Sequence, residues 1–362
     1  MNQVNRRKAF IVAIALMAAG LGVTACGRSQ DAPGPQLALD APLPTTIPPG
    51  TRLVIGDPTT QRVLEHTGWI KDLPFEVQWA QISGGPQVTE AFHAKALDVG
   101  SAANIPPIHA TWVGIPVRMI AVRLRTEPYK YPLFELGVSP KAKITSLADL
   151  RGKKIAYSPG QVQGEIVLRT LAAQGLTTQD VTLVELPSTG DVYPNALVTG
   201  LVDVAPLGAG VPTKRYLDNY AKDGGKVLRH PPFRDDLLNL YVREETLRDP
   251  AKAAALREYV KFWARAAEWT RTHKEEWAQA YYVKDQGLSL QDARFVVAAS
   301  GDSVIPRDWS EAIALQQASI DTLAKAGGQK PFDAAQIFDR RFETIAADAV
   351  APVKTAQNEA QP

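Results

Sequence analysis

The sequence predicts an α/β protein of two lobes, each a mainly parallel sheet flanked by helices, with a helical C-terminal part. Three observations carry this. Short apolar strands alternate with helical stretches from residue 51 onward, the pattern of a parallel sheet. The alternation restarts near residue 145 as a second β-α-β-α-β unit of similar size. Beyond residue 242 long helical patterns take over. A chain of 362 residues also exceeds the roughly 250–300 at which single cores stop growing.

The first element is not part of that body. Arg6, Arg7 and Lys8 precede an apolar run, Ala9 to Ala19, which ends in Gly20-Leu21-Gly22 and Val23-Thr24-Ala25-Cys26. Residues 1–25 read as an export signal, too short for a stable membrane span. Small residues before a cysteine resemble the lipobox, where the thiol is acylated and the chain is cut just before it. Cys26 is therefore the expected lipidation site, anchoring the protein to the extracytoplasmic face of the cell membrane. It is the only cysteine, which excludes an internal disulfide framework. Residues 26–50 carry Pro33, Pro35, Pro42, Pro44, Pro48 and Pro49 and read as a semi-extended linker that lifts the body off the membrane.

In the first unit, strands are expected at 52–56, 75–79, 97–101 and 117–124, with helices at 63–69, 88–96 and 105–112. The second unit opens with a helical turn, Thr145 to Gly152. Strands follow at 154–157, 181–186, 201–205 and 226–229, with helices at 165–174 and 193–200. A strand at 239–242 precedes a long helix, 251–273, opened by Asp249-Pro250. Further helices are expected at 289–300, 309–326 and 334–347. Trp263, Trp269 and Trp277 fall near helical spacing and read as core packing. The tail, 351–362, reads as disordered.

Composition narrows the function. Lys plus Arg number 40 against 38 Asp plus Glu, so no basic footprint for nucleic acid is present. No second apolar stretch approaches the ~18 residues that span a bilayer. The histidines, His66, His93, His109, His230 and His273, show no zinc-ligand spacing. There is no Gly-x-Ser-x-Gly elbow and no P-loop. With Cys26 acylated, no thiol is left as a nucleophile. No catalytic residue, metal ligand or cofactor is expected.

Loops at the carboxyl ends of parallel strands face the ligand crevice of such folds. Two here are glycine-rich and open helices: Ser83-Gly84-Gly85-Pro86-Gln87 and Ser158-Pro159-Gly160-Gln161-Val162-Gln163-Gly164. Glycine lets backbone approach a ligand, and helix N-termini suit an anion. Ser83, Gln87, Gln161 and Gln163 add uncharged hydrogen-bonding groups. Tight βα turns with no ligand are the other reading of the same residues.

Two stretches carry a family resemblance. One runs from Gly84-Gly85-Pro86-Gln87 through Glu90-Ala91-Phe92 and Leu97-Asp98-Val99-Gly100 to Gly114-Ile115-Pro116-Val117. The other runs from Ser146-Leu147-Ala148-Asp149-Leu150-Arg151-Gly152-Lys153-Lys154-Ile155-Ala156 to Gly200-Leu201-Val202-Asp203. The chain resembles the solute-binding proteins of ABC importers for aliphatic sulfonates, taurine and nitrate. The resemblance implies a periplasmic-binding-protein type II fold, with lobe 1 at 51–122 and 240–350 and lobe 2 at 123–239. It implies a small organic anion, an aliphatic or aromatic sulfonate, trapped between the lobes by hinge closure. Its ligand loops map onto Asp57, Thr59, Thr60, Ser83, Gly84, Gly85, Ser101, Asn104, Gln161, Gln163 and Gly164. The partners implied are the permease and ATPase subunits of the importer, with the receptor a monomer. Glu165, beside the second loop, reads as a solvent-facing partner of its helix dipole. An alternative with the same fold is a thiamine-precursor pyrimidine clamped by Trp112, Tyr157 and Glu165. Pyrimidine-precursor synthases also share the fold, but that chemistry needs a reactive cysteine and histidine cluster.

Overall fold

A computed structural model describes residues 36–82 and 85–352. The expected export signal, Cys26, Ser83, Gly84 and the residues from 353 onward lie outside the described residues. The first half alternates as β1 (Arg52–Gly56), α1 (Pro58–Thr67), β2 (Glu76–Trp79), α2 (Gly85–His93), β3 (Val99–Ala103), α3 (Ile105–Trp112), β4 (Val117–Arg125) and β5 (Phe134–Val138). It continues with β6 (Lys154–Tyr157), α4 (Val162–Ala173), β7 (Thr182–Glu185), α5 (Val192–Thr199), β8 (Val204–Gly208), α6 (Val211–Tyr220) and β9 (Lys226–Leu228). Then come β10 (Leu238–Arg243), α7 (Glu244–Arg248), α8 (Pro250–Thr272), α9 (Lys274–Trp277), α10 (Leu290–Ala299), β11 (Ser303–Val304), α11 (Ser310–Gly327) and α12 (Ile345–Val350).

The strands form two sheets. The first has the order β11-β4-β10-β3-β1-β2 and the second β7-β6-β8-β5-β9. Each contains three parallel strands: β1 pairs in parallel with β2 and β3, and β6 with β7 and β8. Each is widened by antiparallel strands. β10 returns between β3 and β4, and β5 lies between β8 and β9. β4 is antiparallel to β10 and β9 to β5, so both run with the parallel strands, and each sheet is mixed but mainly parallel as expected; β10 runs against its neighbours because the chain crosses to the second sheet after β4 and then comes back. Strands covered on both faces need continuous apolar runs, and Met119, Ile120, Ala121 and Val122 of β4 are all fully buried.

The two crossings are held together by carboxylates. Asp235 accepts the backbone N–H groups of Leu133 and Phe134, each at 2.9 Å. Asp236 accepts the N–H of Arg125 at 2.5 Å and pairs with the Arg234 guanidinium at 2.7 Å. Both acids are buried, and these bonds satisfy backbone donors that leave their sheets at the crossings.

Several elements differ from the sequence reading. β5 and α6 were not expected. The α6 segment, Val-Pro-Thr-Lys-Arg-Tyr-Leu-Asp-Asn-Tyr, has a thin apolar stripe and buries only Thr213 and Tyr216. The strand expected at 201–205 lies three residues later, at β8. The helix expected over 334–347 is broken into two short 3₁₀ turns and α12. The break has a cause: Phe338 bridges to Met119, and the Asp339 N–H bonds the Met119 carbonyl at 2.9 Å, so this segment runs along β4 instead of coiling.

Residues 36–50 form no helix or strand, yet they do not stand off the body as the linker reading expected. Leu39, Leu43 and Ile47 pack against the core, and the Leu37 N–H bonds the Arg248 carbonyl at 2.7 Å. Arg341 donates to the carbonyls of Ala41 at 2.9 Å and Ala38 at 3.3 Å, while Asp339 neutralises it. Spaced leucines between the prolines supply the apolar contacts that a plain linker lacks. Arg341→Ala should therefore cost about 1–2 kcal/mol in urea unfolding and speed hydrogen exchange at the Leu37 amide. Unchanged exchange there would show that the segment docks without the arginine.

Candidate functional site

The carboxyl ends of β1 and β3 open on the same edge of the first sheet. There Asp57, Thr59 and Thr60 from the turn into α1, Ser101 from β3 and Arg123 from β4 line a cavity of about 290 Å³. Val63, Trp263, Ala266 and Ala267 give it an apolar side. Asp57 is held as the cap of α1: its Oδ1 accepts the Thr60 N–H at 3.3 Å, and its Oδ2 accepts the Tyr259 hydroxyl at 3.0 Å. Burial pushes the Asp57 carboxyl above its usual range, against the opposing pull of the Thr60 and Tyr259 hydrogen bonds and of Arg123.

Arg123 is the unusual member. Its Nε is buried and has no hydrogen-bond partner among the described residues. Its guanidinium carbon lies 5.8 Å from the centroid of the Trp263 ring. Burial pulls its pKa down, and Asp57 and Tyr282 offset this only in part. A buried donor without a partner costs on the order of 1–3 kcal/mol, more when charged. An acidic group entering the cavity would relieve that cost.

A second chamber of about 270 Å³ adjoins the first and shares Thr59, Arg123, Leu238 and Thr270 with it. Its other walls include Trp277, Tyr281, Tyr282, Val297 and Ser303. The charges around it are already engaged. Arg125 donates to the carbonyls of Tyr131 and Pro132, Lys274 pairs with Asp302 at 2.6 Å, and Arg271 pairs with Glu268 at 2.5 Å.

Of the residues expected from sequence, Asp57, Thr59, Thr60 and Ser101 come together in the first chamber. The glycine-rich loops instead meet each other. A Cβ on Gly85 would lie 2.5 Å from the Pro106 ring and 3.5 Å from the Gly160 carbonyl, and Gly160 faces the His109 imidazole. Gly164 packs on the Ser158 carbonyl so closely that a Cβ would strike it. Gln161 is buried and accepts the Ser188 hydroxyl. Gln163 is half-buried and Gln87 is exposed.

Asn104 is buried and donates to Glu165 Oε2 at 3.0 Å and to Ser319 Oγ at 2.8 Å. Ser319 in turn donates to Glu165 Oε1 at 2.6 Å. Glu165 is thus buried, not solvent-facing as its place in the first turn of α4 implied: it ties α4 to α3 and α11. Trp112 gives its indole N–H to the Lys330 carbonyl at 3.0 Å, so Trp112 and Glu165 of the alternative clamp are each engaged elsewhere. Sequence reasoning missed Arg123. The available cue was a cation inside the apolar strand Val-Arg-Met-Ile-Ala-Val-Arg-Leu-Arg, where alternation puts some arginines away from solvent.

Residues 63–213 match the NMT1/THI5-like family model. The chain is 32% identical over 106 residues to a putative aliphatic sulfonates-binding protein of Escherichia coli (strain K12). That match covers 29% of this chain and spans about a third, 32%, of the relative's length. Among solved structures, the periplasmic aliphatic sulphonate-binding protein SsuA of Escherichia coli superposes with a TM-score of 0.66 at 22% identity, over 82% of this chain and 99% of that one. The alkanesulfonate-binding protein SsuA of Xanthomonas axonopodis pv. citri, bound to MOPS, gives 0.65 at 19% identity, over 84% and 98%. The desulfurization enzyme DSZB gives 0.54 at 16% identity, over 82% and 99%, so the fold is shared by binding proteins and an enzyme. Its two sheets are arranged as in these periplasmic-binding-protein folds, and over residues 63–213 the chain is similar to the NMT1/THI5-like proteins.

Proposed function

We propose that this protein is the extracytoplasmic solute receptor of an ABC importer, lipid-anchored through Cys26, and that it binds a small organic anion, a sulfonate, at Arg123. The unpartnered Arg123 Nε in the first chamber is the observation that carries the reading. A sulfonate offers three acceptor oxygens, enough for a guanidinium and the neighbouring hydroxyls of Thr59, Thr60 and Ser101. Hydrogen bonds to charged groups are the stronger kind, and the apolar side of the chamber would seat the carbon attached to sulfur. The sulfonate-binding relative and the MOPS-bound structure support the ligand class. Both chambers are lined from the first sheet's side, so the second sheet would reach the ligand only on closure about residues 126–133 and 229–237, which would present the receptor to its permease. On this reading the lining groups would hold and orient an anion without turnover, and the receptor would act as a monomer.

Two outcomes follow for the purified full-length protein in detergent. In a thermal-shift screen, organosulfonates should raise the melting temperature more than sulfate or nitrate, and Arg123→Leu should weaken the best ligand about 10- to 100-fold, since a charged hydrogen bond is worth about 1.5–3 kcal/mol. Equal binding by wild type and Arg123→Leu would remove the arginine from the site. The second concerns pH. Asp57 titrates above its ordinary 3.8, and an anion bound beside it would raise it further. Binding then takes up a proton, so affinity should rise as pH falls from neutral through the raised range. Asp57→Asn should flatten that slope in calorimetric titrations; an unaltered slope would assign the effect to another group.

A further inference from the structure

Granting the anion site at Arg123, we infer that the two chambers form one binding site, with the acidic head of the ligand at Arg123 and an aromatic tail in the second chamber. Size gives the first argument. Organic ligands occupy pockets of roughly 300–1,000 Å³. At about 290 and 270 Å³, each chamber sits at the lower edge of that range, and both together fall well inside it. Thr59 and Arg123 stand on the shared wall, so a head group held there has the second chamber beside it.

The second chamber is built for a flat ring. Trp277 and Tyr281 are parallel, with centroids 4.5 Å apart and planes at 2°. Tyr282 meets both edge-on, at 6.2 Å from Trp277 and 5.0 Å from Tyr281. Ring faces and edges in these arrangements attract further aromatic carbon. A local change of helix brings them there. Residues Ala278–Val283 form a π-helical turn, with the Lys284 N–H reaching back five residues to the Gln279 carbonyl at 3.1 Å. The wider turn lets the consecutive Tyr281 and Tyr282 border one chamber. Such turns are rare and gather at functional sites. Because Arg125, Lys274 and Arg271 are paired, the tail itself meets ring surface and needs no charge. The ligand class is an arylsulfonate, or a closely similar aryl acid, rather than a one- or two-carbon sulfonate.

Calorimetric titration of the full-length protein with 2-naphthalenesulfonate and methanesulfonate tests this. The aryl ligand should bind at least tenfold more tightly. Tyr282→Ser, and separately Ser303→Trp, which fills the chamber from its rim, should cut that preference below threefold. Equal affinities in wild type, or a preference untouched by both variants, would overturn the two-chamber inference while leaving the anion receptor in place. If neither sulfonate binds wild type, both readings fall.

Discussion

The arrangement of this molecule depends on the carboxylate pair Asp235 and Asp236. A chain that leaves one sheet, builds a second and returns must pass twice through the space between them. At those crossings backbone donors lose their ladder partners. Asp235 takes up Leu133 and Phe134, and Asp236 takes up Arg125. One crossing thereby holds the other, and β10 enters between β3 and β4 in a fixed register. That register sets Leu238 opposite Arg123, on the wall common to both chambers. Two adjacent buried carboxylates would repel unless each had its own cations or donors. Here Arg234 serves Asp236 while His230 Nε2 approaches Asp235 at 3.3 Å.

The elements on either side of the crossings touch at two further points, and neither is the cavity. On one side Glu165 of α4 is clasped by Asn104 and Ser319. On the other, Lys214 of α6 pairs with Asp292 of α10 at 3.0 Å. The glycine-rich loops belong to the first of these contacts: Gly85 is small because a Cβ there would strike the Pro106 ring, whereas a Cβ on Gly160 would make only ordinary contact with His109. Close approach is what glycine permits, but the partner here is protein rather than solute. A buried carboxylate with several donors is costly to disrupt, so the Glu165 node sets how firmly α3, α4 and α11 stay together, independently of what occupies the chambers.

Much of this was legible in the sequence because it rests on local pattern. The β-α alternation locates β1, β6 and α8 within a residue or two, whereas Asp57, Thr59 and Thr60 come from the family resemblance and not from local pattern; the structure gathers them on one cavity. What escaped depends on distant partners. β5 is defined by pairing with β8 and β9, which no window around Phe134 contains. The segment after Ala334 has helical composition, but its bridge to Met119 prevails over propensity. Arg123 and Glu165 escaped for a related reason. Polar residues in apolar surroundings are normally expected to face water, and only the assembled fold shows that one is clasped and the other is left without a partner at Nε. The aromatic set was half legible: Trp277 was read as core packing, and it is buried, yet the π-helical turn that follows puts Tyr281 and Tyr282 beside it on a cavity wall.

A half-buried arginine whose Nε has no partner among the described residues looks like an error of design, but the proposed reversible capture of an anion would give it a purpose. Had a carboxylate been placed against Arg123, the protein alone would be more comfortable and an incoming anion would have to displace an internal ion pair. Leaving Nε without a partner keeps the desolvation cost in the empty site, where a ligand can relieve it, and a ligand shifts a conformational equilibrium only by the free energy it recovers in one state over the other. Asp57 lies near enough to lend field to Arg123, but its oxygens are already taken by Thr60 and Tyr259 and burial raises its pKa. It steadies the guanidinium without filling the place of the anion. The proposed site would be poised because Asp57 spends its hydrogen bonds on Thr60 and Tyr259 and leaves Arg123 to the ligand.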